Sequence, residues 1–258
     1  ATLVRIDIDA TEIGTSPRLN VGVIGDAKAV LQQLIDAAGQ RLNDDTYRSW
    51  RDRLRGRNTS KQFEQEAILD NDASPIHPLR LCKEIREFID RDAILVVDGQ
   101  EILNYARQTI PSFSPGHRLN SGAFGTMGVG MPFGVGAKIA KPNSQVIVLH
   151  GDGSFGLNAM EFDTAMRHNV PVLVIVSLNG GWTADPDKNK PGRDLGYTRY
   201  DEIARALGGY AELVEQPSDI RPALERAAAA VAGGKSALVN VVTDWSARAT
   251  TAAFTVYS

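Results

Sequence analysis

The sequence contains a single cysteine, Cys82. This excludes an internal disulfide framework and any metal centre built on cysteine pairs. No apolar run approaches the roughly 20 residues that cross a bilayer as a helix, so no membrane partner is expected. Excess positive charge is missing too: 28 Lys and Arg stand against 31 Asp and Glu, a net charge of -3, and no nucleic-acid partner is expected. No secretory signal pattern opens the sequence, because Ala1 leads directly into a strand-like alternation. A cytoplasmic location is therefore expected, and the start without methionine suits a piece of a longer protein or a processed chain. The rest is ordinary globular material: 258 residues, 43% hydrophobic and 23% charged, enough for one large or two modest domains.

The most informative stretch runs from His150 to Thr183. A buried strand over 146–149 leads into Gly151-Asp152-Gly153. An amphipathic stretch follows, with Leu157, Met160 and Ala165 able to share a helical face. A second apolar strand over 172–178 ends at Asn179-Gly180-Gly181. This is a βαβ unit, whose two strands send their carboxyl ends to one edge of a sheet, where open α/β folds bind ligands. Asp152 and Asn179 sit just past those ends. A carboxylate and an amide oxygen so placed suit Mg²⁺ carrying a phosphate, since Mg²⁺ takes oxygen ligands from one or two carboxylates, carbonyls, water and phosphate. The N–H groups of Gly153 and Ser154 open the helix toward that phosphate, and Gly181 allows close approach of a backbone carbonyl.

The remaining chain fits around this unit. Residues 1–38 read as strand (4–9), turn, strand (21–26) and helix (27–38), with Asp26 as helix cap. Residues 41–72 are polar, with Trp50, Leu54 and Phe63 as a sparse stripe; they predict one or two surface helices whose arginines face solvent. A helix over 79–89 and a strand over 93–97 follow, and the strand's end at Asp98-Gly99-Gln100-Glu101 adds backbone N–H groups to the same sheet edge. Six glycines fall in the stretch from Gly122 to Gly136, both included. Glycine weakens a helix by about 1 kcal/mol relative to alanine, so close approach to a ligand or another helix is the expected reason for them. Met127, read without further context, is core filler. His117 and His150 read as structural histidines, or as supports behind the site, and not as acid–base catalysts. The loop 180–193 carries Lys188, Lys190 and Arg193, which could meet a phosphorylated substrate. A helix (203–207), a strand (210–214), a helix (222–232) and a strand (237–242) complete the fold. The polar tail from Asp244 onward is expected to serve as a lid, with Arg248 reaching a substrate anion.

Gly151-Asp152-Gly153, then 25 residues, then Asn179 resembles the signature of thiamine diphosphate (ThDP) enzymes. Met127 lies 25 residues before Asp152, where that family carries a G-x-M-G turn. The stretches GAFGTMGVG and SLNGGWT resemble the superfamily of acetolactate synthase, oxalyl-CoA decarboxylase and 2-hydroxyacyl-CoA lyase, in its C-terminal diphosphate-binding part. The resemblance implies an α/β fold: a doubly wound, mostly parallel sheet at 75–245, preceded by the tail of a Rossmann-like middle domain (1–38) and a helical linker (39–74), and followed by a tail (246–258). It implies ThDP and Mg²⁺ as cofactors, with Asp152, Asn179 and the Gly181 carbonyl as metal ligands. Gly99, Gln100 and the Glu101 backbone would touch the diphosphate, the Glu101 side chain pointing away. Met127 would wedge the cofactor's two rings into a V, and the Gly125 carbonyl would accept from the pyrimidine amino group. Gly153, Ser154, Trp182 and Thr183 complete the implied contacts. The glutamate that activates the cofactor is implied to lie in a separate pyrimidine-binding domain or chain, within a homodimer or tetramer, and no residue of this chain is nominated for it. The implied activity is C–C bond cleavage or formation on a small-molecule substrate, foremost a 2-hydroxyacyl-CoA. An acetolactate synthase or benzaldehyde-lyase-like carboligase is the alternative, and a non-catalytic phosphate-binding subunit a further one.

Overall fold

The computed structural model describes residues 2–15, 17–39, 44–182 and 191–249. The chain divides into two compact units, Ala1–Phe63 and Glu64–Ser258. In the first, β1 (Val4–Asp7) and β2 (Val21–Ile24) pair in parallel, Val4 opposite Val21. A short helix, α1 (Ala10–Ile13), lies between them, and α2 (Ala27–Ala38) follows. Asp26 caps α2 as expected, accepting from the Ala29 N–H at 2.9 Å. Among the described residues of this unit only the Val30 side chain is buried, while Ile8, Ile24 and Ile35 are 75%, 63% and 65% exposed. Two strands with so little core fall short of an independently stable sheet. The polar stretch forms one helix, α3 (Asp44–Leu69), on which Trp50 and Leu54 are exposed; the Phe63 side chain is outside the described residues.

The second unit continues with α4 (Pro78–Phe88), β3 (Ile94–Asp98), α5 (Glu101–Thr109), β4 (Arg118–Leu119), α6 (Gly130–Ala140) and β5 (Val146–Gly151). Then come α7 (Asp152–Leu157), α8 (Glu161–Arg167), β6 (Leu173–Leu178), α9 (Tyr200–Ala206), β7 (Tyr210–Val214), α10 (Pro217–Ala232) and β8 (Ala237–Val242). The strands form one parallel sheet in the order β4-β3-β5-β6-β8-β7. Strand residues alternate between two buried faces, which is why the strands read as continuous apolar runs. Leu95, Val97, Leu149 and Ile175 pack with Leu81 of α4, Ile102 of α5 and Leu224 of α10. Val96, Val148 and Val174 pack with Met131 of α6, Phe162 of α8 and Ala204 of α9. Helices on both faces make the sheet doubly wound. No described helix is long and apolar enough to cross a membrane.

Two local expectations give way to the structure, and one element went unread. The stretch after Asp152 is not one amphipathic helix but two short ones, broken at 158–160. Leu157 and Met160 are exposed; of the expected three only Ala165 is in the core, where Phe155 and Phe162 join it. The two-residue strand β4 carries too little pattern to be read from sequence. Helix α10 begins five residues earlier than expected and runs through Pro222.

The glycine-rich segment meets the expected approach to another helix at Gly128, whose Cβ would lie 3.0 Å from Leu157 Cβ of α7, but serves a different purpose within α6. A Cβ on Gly134 would lie 2.4 Å from Val148 Cγ2, and one on Gly130 2.3 Å from His150 Cε1. Gly130 and Gly134 therefore let α6 settle onto the sheet at strand β5.

Candidate active site

The chain leaves β3 for β4 on one side and returns to β5 on the other. The strand order thus reverses between β3 and β5, and a crevice opens beyond their carboxyl ends at this switch point. The two ends are stitched together. The Ser154 hydroxyl lies 3.0 Å from the Asp98 carbonyl and 2.9 Å from the Gly151 carbonyl. Gly99 has φ +121°, and a Cβ there would sit 3.1 Å from the Gly151 nitrogen, so only glycine fits this closely packed turn.

A cavity of about 370 Å³ fills the crevice. Of the residues singled out from the sequence, Gly99, Gln100, Glu101, Met127, Asp152, Gly153, Ser154, Asn179, Gly181 and Trp182 line it. Gly125 does not; it closes a 3₁₀ turn (Gly122–Phe124) with φ +64°. Thr183, Lys188 and Lys190 are outside the described residues. Arg193 also lines the cavity.

Asp152 is the centre of the site. Its side chain is only 3% exposed. Oδ1 accepts from the Gly153 N–H at 2.7 Å, and Oδ2 accepts from Gly180 at 2.7 Å and Gly181 at 3.0 Å. Gly180 can turn its N–H inward because it takes φ +81°. Burial pushes the carboxyl up to about 6, against the pull of these N–H groups. No cationic side chain pairs with it among the described residues. A buried carboxylate held by dipoles alone, opening on a cavity, fits a bound cation that supplies the missing charge. Asn179, half-buried, brings its Oδ1 to the same corner, 3.3 Å from the Gly181 nitrogen. No cluster of three or more His, Cys, Asp or Glu able to hold a metal occurs among the described residues. One carboxylate with amide and carbonyl oxygens, completed by phosphate and water, is a set that suits Mg²⁺.

Gly181 is glycine for a reason the sequence did not reveal. Its missing Cβ would meet the Arg193 carbonyl oxygen at 2.4 Å. There the loop beyond Asn179 folds back: Trp182 N–H donates to Arg193 O at 2.8 Å and Leu195 N–H to Gly180 O at 3.0 Å. The Trp182 ring closes over the start of α7, 3.0 Å from where a Gly153 Cβ would be.

Glu101 lines the cavity, and its carboxylate accepts from the Ala249 N–H at 2.9 Å. The side chain is thereby committed to the C-terminal segment, and the same bond brings that segment to the cavity, where Ala247 contributes to the wall. Arg248 does not reach toward an anion as expected: its guanidinium donates to the Trp245 and Ala247 carbonyls at 2.5 and 2.8 Å. Residues 250–258 of the tail are outside the described residues.

His150 is structural, as read. It is 1% exposed, burial holds it down to about 3, and it is therefore neutral beside Asp98. Its Nδ1 lies 3.2 Å from the Ser154 hydroxyl. His117 is absent from the cavity wall.

Sequence reasoning passed over Asp98, which it read only as part of a turn. Its buried carboxylate accepts from the Gly128 N–H at 2.9 Å and the Gly130 N–H at 2.8 Å, and so holds the segment that carries Met127. The signal was available: an acidic residue ending a wholly apolar strand needs partners of its own.

Comparison with known proteins agrees with this geometry. Residues 101–241 match the family model described as thiamine pyrophosphate enzyme, C-terminal TPP binding domain, thiamine pyrophosphate being another name for ThDP. The chain is 40% identical over 232 residues to an acetolactate synthase large subunit of Mycobacterium tuberculosis, covering 86% of this chain and 41% of that protein. It is 33% identical over 234 residues to 2-hydroxyacyl-CoA lyase 2 of Caenorhabditis elegans, covering 86% and 36%. To oxalyl-CoA decarboxylase of Escherichia coli K12 it is 28% identical over 256 residues, covering 93% and 43%. The chain thus spans about two fifths of the length of the curated relatives it matches. A βαβ unit with Asp152 and Asn179 at a switch point and a family match over the same sheet lead to one conclusion: this chain belongs to the thiamine pyrophosphate enzymes, through their C-terminal TPP-binding domain.

Proposed function

We propose that the β3/β5 crevice holds the diphosphate of ThDP through one Mg²⁺, and that the chain is the diphosphate-binding part of a carboligase or lyase. The observation that carries this reading is the buried Asp152 carboxylate beside Asn179, held by backbone N–H groups and with no ion pair among the described residues. In this reading Asp152, Asn179 and the Gly181 carbonyl ligate the metal. The N–H groups of the 99–101 turn and of Ser154 meet the diphosphate. Met127 supports the cofactor's rings, the Gly125 carbonyl accepts from its amino group, and Trp182 with Thr183 closes the wall. Bound there, ThDP supplies a nucleophilic carbon and an electron sink for chemistry next to a carbonyl. The chain's own part is to bind, orient and exclude water.

The activating glutamate belongs to a pyrimidine-binding domain outside this chain, in a homodimer or tetramer of the complete enzyme. Glu101 supports this division, because the one glutamate on the cavity wall has its carboxylate engaged by Ala249. Residues 1–38 are the end of a middle domain, a reading supported by how little of their apolar surface is covered.

The reaction class divides on the substrate. The 40% identity to an acetolactate synthase favours a 2-oxo acid. Arg193 on the cavity wall, in a loop that also holds Lys188 and Lys190, favours the anionic 2-hydroxyacyl-CoA. Turnover assays of the complete enzyme with 2-oxo acids and with CoA thioesters separate the two. Turnover of neither class, with ThDP bound, would favour a non-catalytic subunit.

A pH dependence tests the metal site itself. Asp152 must ionise to bind a cation, and without metal it does so near pH 6. Apparent Mg²⁺ affinity in the presence of ThDP should therefore fall about tenfold per pH unit below that point and level off above about pH 7, as proton linkage requires. Calorimetry at pH 5, 6 and 8 measures it; a flat profile would place the cation elsewhere. The sign for stability is the opposite. With its folded value raised from 3.8 to about 6, Asp152 favours the metal-free fold below pH 3.8, and that contribution is lost as pH rises through 6.

A further inference from the structure

Asp98 ends β3 with its side chain on the α6 face of the sheet, 3% exposed. One oxygen, Oδ2, accepts from both the Gly128 N–H (2.9 Å) and the Gly130 N–H (2.8 Å). These donors flank Val129 and immediately follow Met127. The segment can curl around the carboxylate because Gly128 takes φ +91°. A second clamp comes from the break between α7 and α8, where Asn158 Nδ2 donates to the Gly128 carbonyl at 2.6 Å. Beyond this anchor the chain is open: Phe124 is 95% exposed and Met127 is 38% exposed, the latter on the cavity wall. Met127 is a flexible side chain with three rotatable bonds, so its aim depends on where its backbone is pinned.

We propose that Asp98 is a positioning residue for cofactor binding and turnover, fixing the 127–130 turn to strand β3 and so holding Met127 at its place in the crevice. This rests on the reading that the crevice binds ThDP with Met127 beneath it. Asp98 touches neither cofactor nor substrate in this account and acts only through the turn. A rigid strand is a better mount for such a contact than the exposed loop that precedes it.

The test is a double-mutant cycle in the full-length enzyme with Mg²⁺ and ThDP. Asp98→Asn keeps the shape and one acceptor oxygen, which can still face the turn, but removes the charge and so weakens both bonds from charge-assisted to neutral. Alone it should lower kcat and weaken ThDP binding by about tenfold, the scale on which charge-assisted hydrogen bonds exceed neutral ones, with KM for the substrate little changed. Hydrogen exchange at Gly128 and Gly130 should quicken. In a Met127→Ala background the same substitution should change kcat less than about twofold, because contacts acting through one another do not add. Equal effects of Asp98→Asn in both backgrounds would overturn the proposal, as would wild-type kcat and ThDP affinity despite faster exchange at the turn. Wild-type behaviour of Met127→Ala alone would instead sink the reading of Met127 on which the proposal stands. Should Asp98→Asn not fold, Asn158→Ala loosens the same turn from the other side, with the same expected coupling to Met127.

Discussion

Replacing Asp152 with alanine should abolish Mg²⁺-dependent ThDP binding and all turnover of the complete enzyme, while leaving the fold of the sheet intact. The affinity loss should exceed about hundredfold, since even groups outside the ligand shell of a metal act on a scale of 10–100-fold. Two opposing terms keep the stability change small. The substitution leaves the Gly153 and Gly180 N–H groups without their acceptor, at a cost of about 1–3 kcal/mol each, while the Gly181 N–H keeps Asn179 Oδ1. It also removes a buried carboxylate whose ionised form burial disfavours. The melting temperature without ligands should therefore move by only a few degrees, whereas the stabilisation that Mg²⁺ and ThDP give the parent enzyme should vanish. Thermal denaturation with and without the two ligands measures both at once. Retained ligand stabilisation in the variant would mean that Asp152 is not the anchor.

Gly130→Ala should be strongly destabilising. Its Cβ would lie 2.3 Å from His150 Cε1, 2.6 Å from His150 Nε2 and 2.9 Å from Asp98 Cβ. None of these can yield easily. His150 stacks edge-on against Phe155 with ring centres 5.4 Å apart, and Asp98 is held by the turn it binds. Overpacking of this kind costs about 1–3 kcal/mol, here at the upper end, which lowers Tm by about 6–12 °C for a domain of this size. The methyl group also pushes α6 away from β5 and so displaces Met127. Gly136→Ala is the matched control on the same helix. Nothing lies within 4 Å of its Cβ position, so it gains helix propensity of up to about 1 kcal/mol. Differential scanning calorimetry of the two variants should show shifts of opposite sign; a harmless Gly130→Ala would mean that α6 does not pack as closely on β5 as described.

What the sequence disclosed follows from how local each signal is. The strands flanking Asp152 were legible because both faces of a parallel sheet are buried, which leaves unbroken apolar runs such as Val146-Ile147-Val148-Leu149. The pairing of Asp152 with Asn179 was legible because a βαβ unit fixes where both strand ends go. The switch point was hidden, because it depends on β4, whose two residues carry no periodicity. The glycines of α6 could be counted but not explained: whether a missing Cβ faces a ligand, a helix or a strand is a tertiary fact. The break at 158–160 was hidden by Leu157 and Met160, apolar residues that the fold leaves exposed. Asp98 went unnoticed because its partners are backbone N–H groups 30 and 32 positions away, and backbone donors leave no trace in a side-chain pattern.

The most direct test of the central claim is the anomalous scattering of Mn²⁺ in crystals of the complete enzyme grown with ThDP, Mn²⁺ standing in for Mg²⁺. The account predicts one strong peak at the carboxyl edge of β5 and β6, within coordination distance of an Asp152 oxygen, Asn179 Oδ1 and the Gly181 carbonyl, and adjoining the diphosphate. A peak away from Asp152, or ThDP bound in the crevice with no metal beside that carboxylate, would contradict it.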